Sequence, residues 1–190
     1  SVIEIGGTVG DYQNFLFIEA ARVLNLRNPQ DVVFVLVSYL PVPGTIGEMK
    51  TKPTQTAVHQ LNSYGVQPDF LIARGPVALD EKRKEKLAVW CNVDAEHVIS
   101  APDVASIYEV PLNFEKGRLG EKLLTALALL PAPRSARQAG KSGVKENSMK
   151  EWQAFVNKIQ KAKEAVNIAI IGKYFDTGDF VLSDAYLSVI

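Results

Sequence analysis

Apolar and polar positions along the chain alternate between two periods, and the alternation predicts strands interleaved with helices. Val2 to Ile5 is a short apolar run that predicts a strand. It ends on a glycine turn, Gly6-Gly7-Thr8-Val9-Gly10. Phe15, Ile18, Arg22 and Val23 then follow at helical spacing. Asp31 to Val37 is apolar at successive positions, which predicts a strand buried on both faces and ended by Pro41-Val-Pro-Gly. A helix is expected from Pro53, where a missing amide costs nothing, carrying Val58, Leu61 and Tyr64. Phe70 to Ala73 predicts a strand, and Asp80 an N-cap for a charged helix ending near Trp90. A short strand is expected over His97 to Ser100 and a helix over Leu119 to Leu130. Strands alternating with helices argue for an α/β fold with a mostly parallel sheet.

Two further regions follow. Pro131-Ala-Pro and the stretch from Arg134 to Lys145 are rich in Pro, Gly, Ser and basic residues and show no period, as in a linker. Ser148-Met-Lys-Glu151 matches the capping box S-x-x-E, and Trp152, Phe155, Val156 and Ile159 follow at helical spacing, as packing residues. Val166 to Ile171 predicts a strand leaving through Gly172-Lys-Tyr, and a further helix is expected near Leu182. The expected organisation is therefore 1–130, a linker with a helix over 131–165, and a new α/β unit over 166–190. Ser1 leads straight into an apolar stretch and Ile190 stops inside a helical pattern, so the chain is expected to be a piece of a longer protein.

Charge sharpens this picture. The 190 residues hold 21 Lys plus Arg and 21 Asp plus Glu. A balanced chain has no global field for nucleic acid or an anionic membrane, so an anionic ligand needs a local cluster. The apolar runs Val32 to Val37 and Leu123 to Pro131 are far shorter than the ~20 residues of a membrane span. One cysteine, Cys91, permits no intramolecular disulfide, which fits a reducing cytoplasm.

Gly47-Glu-Met-Lys50-Thr51-Lys52-Pro53-Thr54-Gln55 is the densest polar cluster. Two lysines flank a threonine where a helix begins, and the free amides of a helix start attract anions. Gln55 can donate and accept, and so could read a sugar or base. The plainer reading is a solvated lysine pair, because exposed lysines are common. Glu4 stands at the end of a predicted strand, where open α/β sheets bind ligands, and could hold Mg²⁺ on a nucleotide phosphate or be a loop glutamate. The glycines at 6, 7 and 10 allow close backbone approach but also make simple turns, and no G-x-x-x-x-G-K-[ST] occurs. Lys86 lies on a helix crowded with charge, which reads as a solvated face. His59, His97 and Cys91 have no metal-ligand spacing, and Cys91 beside Trp90 reads as a buried structural thiol.

Several segments, in order, resemble the CTP synthase family: Glu4-Ile-Gly-Gly-Thr-Val-Gly-Asp11, Gly47 to Gln55, Gly65-Val-Gln-Pro-Asp69, Cys91-Asn-Val93, Val98-Ile-Ser100, Ile107-Tyr-Glu-Val-Pro111, Gly172-Lys-Tyr174 and Asp184 to Ile190. The resemblance implies the C-terminal half of a P-loop-NTPase-like amidoligase domain, then the first βα unit of a class I glutamine amidotransferase domain. It implies that ATP phosphorylates the 4-oxygen of UTP and that ammonia from glutamine displaces the phosphate. By the same resemblance Glu4 is a Mg²⁺ ligand. Lys50, Thr51, Lys52, Pro53, Thr54 and Gln55 serve substrate UTP and inhibitory CTP, with both lysines on phosphate. Lys86 becomes a further pyrimidine-nucleotide contact, against the solvated reading above. Pro102, Asp103 and Val104 line the ATP adenine, and Arg74 follows a strand end in a matching context. Asp11, Tyr12 and Gln13 match a stretch that contacts CTP, but the family usually has an aliphatic residue and a glutamate where Tyr12 and Gln13 stand. Gln13 lacks that carboxylate, so weaker CTP inhibition is expected. Phe175 to Leu182 is longer than the family's form and is expected to extend a surface loop.

The family's phosphate loop is expected before Ser1 and its Cys-His-Glu glutaminase triad after Ile190, so Cys91 is not the nucleophile and the piece alone is expected to be inactive. A homotetramer and activation by GTP are implied as well. Two other readings compete: a dethiobiotin-synthetase-type ligase, and a non-catalytic nucleotide-sensing or assembly protein on the same scaffold.

Overall fold

The computed structural model describes residues 1–44, 47–130 and 146–171. The chain divides into two compact units, Ser1–Val156 and Asn157–Ile190. In the first, the elements run α1 (Phe15–Arg27), β1 (Val35–Tyr39), α2 (Lys52–Ser63), β2 (Phe70–Gly75), α3 (Glu81–Cys91), β3 (Val98–Pro102), α4 (Val110–Lys116) and α5 (Leu119–Ala126). A last helix, α6 (Glu146–Lys161), runs from the first unit into the second. Three short 3₁₀ turns stand at Tyr12–Asn14, Ala95–His97 and Ile107–Glu109.

The three strands form one parallel sheet in the order β1-β2-β3. The central strand β2 is buried at every position but Arg74. Its alternate side chains feed two cores, as strand geometry requires. Leu71 and Ala73 join Leu40, Met49, Val58, Leu87, Ala88, Cys91, Val93 and Val98, so α2 and α3 pack on that face. Phe70 and Ile72 meet Ile99 and Leu119 on the other face, under α4 and α5. A third cluster of Ile18, Leu61 and Val66 fixes α1 against α2, and Phe15 meets Tyr64 edge-on at 5.6 Å.

Local chemistry explains the two helices between strands. Pro53 sits in the first turn of α2, as expected. The Asp80 carboxylate accepts from the Arg83 amide at 2.8 Å and caps α3, and Asn92 ends it in the left-handed region.

Five expectations need correction. Val2 to Ile5 forms no strand and is exposed: a strand needs a neighbour for its amides, and this segment pairs with none of the three described strands. Val166 to Ile171 likewise has no regular structure and is exposed. The strand expected over Asp31 to Val37 starts later, at Val35, because register is set by pairing with Phe70 to Arg74 rather than by the apolar run. It is also not buried on both faces. Leu36 packs on the α2 side, but Val35, Val37 and Tyr39 face the other way and stay exposed, because α4 and α5 cover the β2 and β3 columns. Finally, α6 begins at Glu146, two residues ahead of Ser148, so the S-x-x-E match does not mark the helix start.

Two smaller differences concern ends. The helix from Leu119 stops at Ala126 instead of Leu130. Ala128 turns left-handed and the amides of Leu129 and Leu130 both return to the Leu124 carbonyl. Pro131 also disfavours helical backbone at Leu130. The expected linker, the loop over Phe175 to Leu182 and the helix near Leu182 lie outside the described residues. No helix among the described residues is long and apolar enough to cross a membrane.

Leu71 is fully buried in the middle strand. Leu71→Ala is expected to destabilise the domain by about 2–5 kcal/mol, through lost transfer energy and the cavity left behind. Urea unfolding with an unchanged m-value measures it, and a loss under ~1 kcal/mol contradicts the core assignment.

Candidate functional site at the carboxyl edge of the sheet

Parallel strands end on one edge, and three backbone bonds extend the sheet past its formal ends there. The Leu40 amide donates to the Arg74 carbonyl at 2.7 Å, the Asp103 amide to Gly75 at 2.9 Å, and the Lys50 amide to Pro41 at 2.9 Å. Lys50, Arg74 and Asp103 are thereby fixed along one rim. The Arg74 guanidinium stands 3.9 Å from the Asp103 carboxylate, both half exposed. Crevices at the carboxyl ends of open α/β sheets are where such folds bind ligands.

The segment Lys50 to Gln55 splits into an outer and an inner set. Lys52 and Pro53 are exposed and Lys50 is partly so. Thr51, Thr54 and Gln55 are buried. The Thr54 hydroxyl shares a hydrogen bond with the Ser38 hydroxyl at 2.8 Å, and Gln55 Nε2 donates to Thr51 Oγ1 at 3.1 Å. Thr54 ties the start of α2 to β1, and Thr51 and Gln55 bond to each other within that start. The outer lysines stand beside the free amides of the first turn, and Thr51 makes no side-chain cap to occupy them.

Lys86 is exposed on α3 and contributes to the field at Glu48. Glu48 accepts from Lys50 Nζ at 2.9 Å and stands 3.5 Å from Arg83 Nη2. The Lys50 bond, then the nearby positive charge of Lys50, Arg83 and Lys86, holds the Glu48 carboxyl below the ordinary range. Glu48 and Arg83 were not singled out from the sequence. A signal existed on α3, where Asp80, Arg83 and Lys86 recur every third residue and share one helix face.

Pro102 closes β3, and Asp103 and Val104 follow it onto the same rim. Glu4 is exposed. Its carboxylate suits Mg²⁺, which is held by one or two carboxylates and completed by substrate phosphates. No group of three His, Cys, Asp or Glu side chains among the described residues forms a metal cage. In the glycine turn, Asp11 Oδ2 accepts from the Thr8 amide at 2.7 Å, while Tyr12 and Gln13 are exposed. Gly10, at φ 104°, lies against the Gln60 side chain, which leaves no room there for a Cβ. Gln60 is about 12 Å along α2 from Lys52 at the helical rise. The 11–13 stretch and the 50–55 stretch are therefore held at different points of α2 within this chain.

Cys91 is buried in the core under α2 and α3, and burial raises its pKa to about 11. It stays a thiol near neutrality and is no nucleophile.

The fold and its rim define an open α/β protein whose carboxyl edge gathers cations at a helix start. The family model described as CTP synthase N-terminus matches residues 1–129, and the chain belongs to that family. It is 43% identical over 190 residues to the CTP synthase of Methanocaldococcus jannaschii, and 42% identical over 189 residues to that of Pyrococcus furiosus. The CTP synthase of Caldanaerobacter subterraneus subsp. tengcongensis is 38% identical over 190 residues. The matches cover 99–100% of this chain but 32% of each relative, so the chain spans about a third of their length.

The raised thiol pKa predicts a pH effect with a definite sign. The folded state keeps its proton above the pH at which the unfolded thiol, with its ordinary value of 9.0, loses it. Stability is therefore expected to fall as pH rises from about 9 to about 11, and Cys91→Ala to flatten that part of the profile. Denaturant midpoints across that range measure it, and equal slopes in both proteins contradict it.

Proposed function

We propose that this chain carries the pyrimidine-nucleotide part of a ligase that converts UTP to CTP with ATP and ammonia. The observation that supports it best is the placing of Lys50 and Lys52 at the α2 start, on the rim that also bears Arg74 and Pro102 to Val104, in a chain of the CTP synthase family. Lys50, Lys52 and Lys86 bind the triphosphate as point charges, with the first-turn amides of α2 behind them. Thr51, Thr54 and Gln55 hold that turn in place, so the lysines are presented by a rigid element. Pro102, Asp103 and Val104 border the adenine of ATP.

The chemistry runs in two steps. The 4-oxygen of UTP attacks the γ-phosphorus of ATP, the ring N3 gives up its proton, the bond to ADP breaks, and the oxygen on C4 becomes part of a phosphate leaving group. Ammonia then adds at the same carbon, gives up a proton, and phosphate departs to leave the amine of CTP. Glu4 would hold Mg²⁺, which neutralises phosphate charge when bound. A glutamine amidotransferase unit beginning near 166 supplies the ammonia, GTP activates, and CTP inhibits. The 11–13 stretch and the 50–55 stretch stand apart on α2, as expected where sites are completed between subunits of a homotetramer in the cytoplasm.

Two experiments on the full-length protein test this. Lys50→Ala is expected to lower kcat/KM for UTP by about 100-fold or more with ammonia supplied directly, since a charged contact to phosphate is removed. Near-normal activity refutes the lysine assignment. CTP inhibition is expected to be weak because Gln13 carries no carboxylate, and Gln13→Glu to strengthen it. Tight inhibition of the native protein shows that other contacts compensate.

A further inference from the structure

Glu48 stands between two elements with no task in the core. It is more than half exposed, and its described bonds run to Lys50 and Arg83 alone. Arg83 is held from its other side by the Asp80 carboxylate, which is already committed to capping α3. Arg83 and Asp80 also border a hollow of about 180 Å³, whose other walls include Val42, Met49, Pro76 and Val77. The hollow opens between the segments that leave β1 and β2, on the rim that carries Lys50.

Lys50, Arg83 and Lys86 are three cations near Glu48, and the Asp80 carboxylate already offsets part of the charge of Arg83. Without a ligand they repel one another, and Glu48 offsets part of that repulsion. A phosphate group carries more charge and more acceptor oxygens than a carboxylate, and a guanidinium fork matches its geometry. Exposed ion pairs of this kind are weak, so exchanging one anion for another costs little.

We propose that Glu48 is a built-in counter-anion displaced by the phosphate chain of the pyrimidine nucleotide, and that Arg83 joins Lys50 in binding that chain. This rests on the nucleotide reading above. Glu48 then tunes affinity: it keeps the cations gathered on one rim, and it competes with the ligand for them.

Equilibrium titration of the full-length protein with UTP, and separately with ATP, tests the idea. Glu48→Gln is expected to tighten UTP about three- to tenfold, and Arg83→Gln to weaken it by a similar factor, as expected for one unit charge near a polyphosphate in a largely aqueous setting. ATP affinity is expected to change less than twofold in both. Arg83→Lys is expected to restore part of the loss, because it keeps the charge but not the fork. In the double variant Glu48→Gln is expected to gain less, because one of the cations it releases is gone.

Weaker UTP binding in Glu48→Gln overturns the counter-anion role and makes Glu48 a positioning group for Lys50. Unchanged UTP binding in Arg83→Gln, or an effect on ATP alone, overturns the assignment of Arg83. Failure here is separable from failure of the nucleotide reading. If one of those overturning results occurs while the native protein binds UTP and Lys50→Ala does not, that reading stands and only this inference falls. If the native protein ignores UTP, both fall.

Discussion

Everything on the rim depends on the parallel pairing of β2 with both its neighbours. Two parallel strands cannot be joined by a tight turn, so each connection must cross back over the sheet. Here the strand order is the sequence order, and both crossover helices, α2 and α3, pack on one face. Each crossover leaves a strand at its carboxyl end and starts its helix from that edge. The starts of α2 and α3 therefore meet there, and their first-turn residues become neighbours. Lys50 before one helix and Arg83 in the first turn of the other reach the same Glu48 for this reason. The cluster is a consequence of topology before it is a matter of side-chain choice.

The elements that carried their own stop and start signals were legible in the sequence. Pro53 and Asp80 mark the starts of α2 and α3, and Phe70 to Ala73 lies within β2. Elements defined by a partner were not. Val2 to Ile5 and Val166 to Ile171 have the composition of strands, yet a strand exists only where another backbone meets its amides and carbonyls, and neither segment joins the sheet of the described residues. The β1 boundary failed for a related reason: the apolar run starts before Val35, but pairing with Phe70 decides where the ladder begins. Ser148 to Glu151 failed because a four-residue pattern also fits inside a helix that has already started.

The same division applies to the site. Lys50 and Lys52 could be singled out because they flank Thr51 at a recognisable helix start. That Thr51, Thr54 and Gln55 are buried while the lysines are not could not be read from the sequence, because burial is set by contact with Ser38 and the sheet. Glu48 and Arg83 belong to different elements, and nothing local in either segment announces the other.

A chain with equal numbers of acids and bases can still hold an anion if its charges are unevenly paired. Several pairs here neutralise within one helix at i,i+3 spacing, as in Glu19–Arg22, Glu81–Lys84 and Arg118–Glu121. Such pairs project little field beyond the helix that carries them. Among the described residues, the pairs that bridge different elements are Glu48–Arg83, Arg74–Asp103 and Lys122–Glu96, and the first two stand on the carboxyl edge. A bridging pair depends on two elements keeping their separation, so an incoming charge can loosen it without unfolding either helix. Net neutrality and a local affinity for phosphate are compatible for that reason. The balancing carboxylates on the rim, Glu48 and Asp103, are exposed and reach across elements, whereas those along the helices answer to their own turn.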